Sequence, residues 1–196
     1  MEANPHEDRL SLDSAPVDRP AAGRLLARRY VLDDQQLCTV MSRTYIAIDP
    51  GVSGGIAWDS GNLVAGIPMP ETDTDICDLI TELIIGSENP NITLVIEDVP
   101  KYVGTNVPGS SVFPLAFNCG LIRGVALALK IPIILVKPHD WQRHFRLGTK
   151  KDAGSTTIWK NRLKGEAQRR FPHLKVTLKT SDALLILAFA RESSLG

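Results

Sequence analysis

Cysteine is scarce: Cys38, Cys77 and Cys119 are the only three in 196 residues, odd in number and widely spaced. Neither a disulfide framework nor a thiolate metal site follows from them, and a reducing compartment suits such usage. Long apolar runs are lacking as well. No stretch stays apolar for the length a bilayer needs and no secretory signal opens the chain, so a soluble protein without a membrane partner is expected. Net charge is the third absence, because 22 basic residues balance 22 acidic ones. The balance conceals a division. Over residues 41–136 acidic residues outnumber basic ones ten to four, whereas over residues 137–179 basic residues lead twelve to three. The second stretch reads as a surface facing a polyanion, and the first as a metal-bearing or plain acidic scaffold.

A chain of this length suits one compact domain with an extension. Residues 1–43 read as the extension: Pro5, Pro16 and Pro20, mixed charge and little apolar periodicity predict flexibility, with a short basic helix at 24–30. Its acids, among them Glu2, Glu7, Asp8 and Asp13, do not suit an organellar targeting segment, so a cytoplasmic location is expected, with an organellar one left open. Met41 is an alternative start of translation. Residues 44–196 form the expected domain.

That domain is organised around residues 45–58. Tyr45, Ile46, Ala47 and Ile48 read as a buried strand, and a carboxylate inside it would be costly, so Asp49 belongs at the strand's exit, where Pro50 and Gly51 end regular pairing. Gly54 and Gly55 permit a reversal into a second strand at 56–58. A third strand is predicted at 63–69. A helix capped by Asp73 or Asp75 follows, with Ile76, Leu79, Ile80, Leu83 and Ile84 on one face. The next apolar strand, 92–96, again ends in carboxylates, Glu97 and Asp98. A helix between two strands implies a crossover and parallel pairing, so Asp49 and Glu97 meet at one rim if the strands are neighbours. In an extended chain Asp98 faces the opposite way and ranks below Glu97. Each acid taken singly is equally ordinary turn chemistry.

Residues 101–111 read as a mobile loop in which Tyr102 either stacks on a base or packs locally. A helix at 112–130 carries Ala116, Gly120 and Gly124 at every fourth position, a face that permits close approach to a sheet or another helix. A strand at 131–136, a short helix at 139–145, a basic loop, and a basic helix at 156–171 broken near Gly165 come next. A final helix, capped by Thr180 or Ser181, is apolar almost all round and therefore buried. Asp182 falls in its first turn, where the helix dipole alone would favour it. Lys137, Arg143, Arg146, Lys150, Lys151, Lys160, Arg162 and Lys164 can contact phosphates. The aromatic residues among them, Trp141, His144, Phe145 and Trp159, suit contact with bases, though Trp141 and Phe145 fit better as core anchors.

IDPGVSGGIA at 48–57, LVIEDVP at 94–100, SVFPLAFNCGLIRGVALALKIPI at 111–133, VKPHDWQRHFRL at 136–147, AQRRFPHL at 167–174 and SDALLILA at 181–188 occur in this order. Together they resemble the RuvC Holliday-junction resolvases of the ribonuclease H-like superfamily, in their bacteriophage and chloroplast-type branch. The resemblance covers residues 45–191. It implies an α/β ribonuclease H-like fold, a mixed central sheet of three antiparallel strands followed by parallel ones, flanked by helices. It also implies a homodimer that nicks four-way or other branched double-stranded DNA and leaves a 5′ phosphate and a 3′ hydroxyl. Asp49, Glu97 and Asp182 would hold Mg2+, or Mn2+ in its place, in a pair of ions; oxygen donors and the lack of a His/Cys cluster suit this choice. The sequence departs from the family in one respect. Leu178 and Lys179 occupy the region, about one helical turn before Asp182, where members carry a fourth acid or a histidine. Lys179 there would contact the scissile phosphate or stabilise negative charge. A related nuclease acting on another branched or hybrid substrate, or a junction-binding protein with impaired catalysis, stays open beside the resolvase.

Overall fold

The computed structural model describes residues 43–61, 63–87, 89–98, 109–193 and 195. Residues 1–42 of the expected extension, the basic helix at 24–30 and Tyr102 lie outside them. Five strands are present: β1 (Thr44–Asp49), β2 (Gly55–Asp59), β3 (Val64–Pro68), β4 (Ile92–Glu97) and β5 (Ile133–Val136). Five helices accompany them: α1 (Asp73–Ile85), α2 (Gly109–Ala128), α3 (Pro138–His144), α4 (Thr156–Arg170) and α5 (Ser181–Glu192). The strands form one sheet in the order β3-β2-β1-β4-β5. The first three pair antiparallel, and β1, β4 and β5 pair in parallel, as expected for a mixed sheet. Among the described residues no helix is long and apolar enough to cross a membrane.

Successive strand residues face opposite sides, so the sheet divides its side chains between two cores. Ile46, Ile48, Ile56, Leu94 and Ile96 pack against Ile76 and Ile80 of α1 and Ile122 and Ala126 of α2. Tyr45, Ala47, Ala57 and Val95 pack on the other side against α3, α4 and the nearly wholly apolar α5. Small residues on the sheet let α5 approach closely: a Cβ on Gly66 would lie 3.2 Å from a Leu184 methyl carbon. Helix α5 is accordingly buried along most of its length.

Local chemistry shifts several expected boundaries. Thr72, rather than Asp73 or Asp75, caps α1, its side chain accepting from the Asp75 amide. Helix α2 ends through Lys130, which adopts a left-handed φ of 57° while the Ile131 amide donates to the Ala126 carbonyl. This closure uses residues that the apolar pattern would give to β5, which starts at Ile133. Helix α4 is not broken at Gly165. Ser155 caps it, and Trp159, Leu163 and Ala167 bury one stripe. That burial, about 1.5–3 kcal/mol for each large side chain, outweighs the roughly 1 kcal/mol that a helical glycine costs relative to alanine.

Candidate active site

Asp49 is the last residue of β1 and Glu97 the last of β4. Because Ile48 pairs in parallel register with Ile96, the two carboxylates leave adjacent strands at the same rim. Both continue the face that carries Ala47 and Val95, the face covered by α5. Asp98 follows the other alternation and lies within electrostatic reach of Cys119 of α2. The ranking of Glu97 over Asp98 thus has a structural basis in strand pleating.

The Asp-Pro-Gly turn is built to fold over its own acid. The Gly51 amide donates to Asp49 Oδ1 at 3.1 Å. A Cβ on Gly54 would stand 2.3 Å from the Asp49 carbonyl and 2.7 Å from Oδ2, so any side chain at that position collides. Neighbouring Gly55 serves the same end, since its Cβ would lie 2.8 Å from the Lys179 carbonyl in the segment leading to α5. From the far side, the buried Asn118 amide of α2 donates to the Pro50 carbonyl at 3.2 Å and ties the turn to that helix.

Asp182, the second residue of α5, brings a third carboxylate. It is largely buried, and Ser181 Oγ donates to its Oδ1 at 2.9 Å. Its Oδ2 accepts from Lys160 Nζ of α4 at 2.6 Å. Glu97 Oε1 accepts from the indole N–H of Trp141 at 3.0 Å, and Trp141 is itself fully buried.

Electrostatics link these groups. Burial pushes the Glu97 carboxyl up to about 8; the charges of Asp49 and Asp182 push the same way, while the Trp141 hydrogen bond and Lys160 oppose them. Burial also raises the Asp49 carboxyl, with the Gly51 amide opposing and Asp182 adding to the rise. Burial alone would lower the Lys160 ammonium, but Asp182, Asp49 and Glu97 together hold it above its ordinary value. The three acids therefore sense one another and share one ammonium. Among the described residues, no group of three or more His, Cys, Asp or Glu side chains is drawn together as the shell of a metal ion. The donor set nonetheless suits Mg2+ or Mn2+: the carboxylates supply hard oxygens, they gather at one rim, and their charge exceeds what Lys160 balances.

The remaining candidates are dispersed. Lys179 is exposed and lines an open groove of about 670 Å³ with Val52, Met69, Phe113 and Phe117. The cation touching an acid of the site is Lys160, which the sequence reading assigned to the DNA-facing surface. Lys137, Arg143, Arg146, Lys150, Lys151 and Arg162 are exposed, and Lys164 is half-buried. Arg162 also donates to the Leu147 carbonyl at 2.8 Å, fastening the basic loop to α4. Trp141, Phe145 and Trp159 are core residues. Sequence reasoning missed Lys160 as a member of the site, the indole bond to Glu97, and Asn118. For Lys160 a signal existed, because it flanks the buried stripe of Trp159, Leu163 and Ala167 and so could not be wholly solvated.

No family model matches the chain, and no curated protein matches it. Among solved structures it is similar to Thermus thermophilus RuvC in complex with a Holliday junction substrate, at 15% identity and a TM-score of 0.50, over 78% of this chain and 96% of that one. It is also similar to a Thermus thermophilus RuvC structure, at 12% identity and a TM-score of 0.45, over 78% and 97%. The first likeness gives the fold: it is ribonuclease H-like.

Proposed function

We propose that this protein is a metal-dependent endodeoxyribonuclease that nicks branched DNA, with the four-way junction as its substrate. The observation that carries the reading is the shared rim of Asp49 and Glu97, faced by Asp182, on a fold like that of a RuvC solved with a Holliday junction. Asp49, Glu97 and Asp182 would hold Mg2+, or Mn2+ in its place. Such ions, when bound, activate water and stabilise the leaving oxygen of a phosphodiester. The chain's own residues prepare the site. Gly51 and Gly54 fix the Asp49 carboxylate, Trp141 fixes that of Glu97, and Ser181 with Lys160 fixes that of Asp182. In the hydrolysis a water oxygen bonds to phosphorus, the bond to the 3′ oxygen breaks, and the products are a 5′ phosphate and a 3′ hydroxyl. The exposed cations from Lys137 to Arg162 would grip phosphates, so binding should weaken steeply with salt.

A homodimer belongs to the same proposal and would set two sites on two strands of a junction. The small-residue face of α2 supports it. Ala116, Gly120 and Gly124 are exposed rather than packed on the sheet, and Phe113, Phe117 and Leu127 stand exposed on the same helix. Residues 113, 117, 120, 124 and 127 recur at the spacing of one helical stripe, which suits a second helix.

A second reading, a junction-binding protein with impaired catalysis, is favoured by Leu178 and Lys179 in the place of a fourth acid. Incubating a synthetic four-way junction with Mg2+ and the wild-type protein or Asp49→Asn separates the two. The nuclease reading expects symmetrical nicks that ligase reseals, lost by roughly three orders of magnitude in the variant, on the scale seen when one member of a catalytic unit is removed. Equal binding by both proteins with no cutting by either supports the binding protein.

A further inference from the structure

We propose that Lys160 is a permanent cation of the carboxylate site and that the site in consequence takes one divalent ion rather than two. The inference rests on the metal-dependent reading above and goes beyond it, because it assigns the second positive charge to a side chain. Lys160 Nζ donates to Asp182 Oδ2 at 2.6 Å, with the lysine side chain 38% and the aspartate side chain 10% exposed. The same ammonium lies within electrostatic reach of Asp49 and Glu97, so it is not part of an isolated surface pair. Its position is anchored, since Trp159 beside it is buried in the core and α4 is capped at Ser155.

Charge balance decides the number of ions. A bound cation keeps the three carboxylates ionised, and with one ammonium they then leave two negative charges, which one divalent ion cancels. A second divalent ion would leave two positive charges among half-buried groups, and desolvated charge without a partner is costly. A fourth acid would be needed to admit it. The segment where that acid could stand holds Leu178 and Lys179, both exposed, with Lys179 turned to the groove beside Phe113 and Phe117. Lys160 therefore occupies, chemically, the place of the absent ion.

Mn2+ binding to the full-length protein tests this by calorimetry and by electron paramagnetic resonance, neither of which depends on cleavage. Wild type is expected to bind one ion per chain. Lys160→Met removes a competing charge and should bind that one ion about tenfold more tightly or better, since a unit charge a few ångströms away contributes more than 1.4 kcal/mol in a partly buried site. Lys160→Arg keeps the charge and should bind one ion with nearly wild-type affinity. Lys160→Glu supplies a fourth acid and should bind two. Thermal melts establish that each variant is folded, and the arginine variant carries the test if the methionine one is not. Two ions on the wild type, or more than a few-fold change with arginine, overturn the proposal while leaving the nuclease reading intact. No ion on any of the four proteins overturns both.

Discussion

The two faces of the sheet are made from alternate residues of the same strands, yet they do different work. The face under α1 and α2 is apolar: Ile46, Ile48, Ile92, Leu94 and Ile96 pack there, and among the described residues no strand side chain of that core is ionisable. The opposite face starts with the same kind of packing at Tyr45, Ala47 and Val95 and ends in Asp49 and Glu97. One face stabilises the fold. The other spends some of that stability on acids pressed together in a partly dry rim, which costs free energy.

Placing a charge on the wrong face should have the largest effect. Ile96→Asp puts a carboxylate among fully buried aliphatic side chains, and the expected loss of several kcal/mol should leave the protein unfolded at 25 °C by circular dichroism. Survival with a cooperative melt would erase the distinction drawn between the faces. Gly54→Ala comes next. Its methyl would overlap the Asp49 carbonyl and carboxylate, so the turn must move, with a loss of about 1–3 kcal/mol in denaturant titration and a matching fall in Mn2+ affinity.

Glu97→Gln acts in the other direction. The Glu97 carboxyl titrates near 8 in the folded protein against an ordinary value of 4.5, so between these values the folded state keeps a proton that the unfolded chain has released. Stability must then fall as pH rises from 4.5 to about 8 and level off above. Melts of the metal-free protein across this window should show that decline in wild type and a flatter profile in Glu97→Gln, with the variant the more stable at pH 8. Saturating Mn2+ should flatten the wild-type profile as well, since it holds the carboxylate ionised.

Two smaller effects sharpen the contrast. Trp141→Phe keeps most of the buried ring but removes the indole donor to Glu97, with an expected cost of about 1 kcal/mol and a further upward shift of the carboxyl. If metal affinity were unchanged, the indole would be packing alone. Phe117→Glu alters an exposed side chain on α2 and should leave the melting temperature within a few degrees. Sedimentation should nonetheless report a monomer in place of a dimer if the exposed stripe is the self-association surface.

Much of the acid-bearing face was legible in advance, for reasons that are local. A strand pattern that stops at a carboxylate followed by Pro-Gly or by Asp-Val-Pro fixes the acid at a strand exit, and the crossover through α1 makes β1 and β4 parallel. Pleating then separates Glu97 from Asp98 without further information. The basic segment was legible only as composition. Its members look alike in sequence, whereas in the fold Arg162 caps a loop carbonyl, Lys164 is half-buried and Lys160 enters the acid cluster.

What the sequence by itself determined is therefore the sheet, its handed crossover and the two acids at its rim, because hydrophobic alternation and turn residues act within a few positions along the chain. What the tertiary structure alone decided is who meets those acids. Lys160 and Asp182 are joined across helices α4 and α5, Trp141 and Glu97 across a helix and a strand, and Asn118 and Pro50 across opposite sides of the turn. Such meetings depend on how whole helices rest on the sheet, since a side chain's reach is short and its neighbours are set by packing rather than by sequence distance.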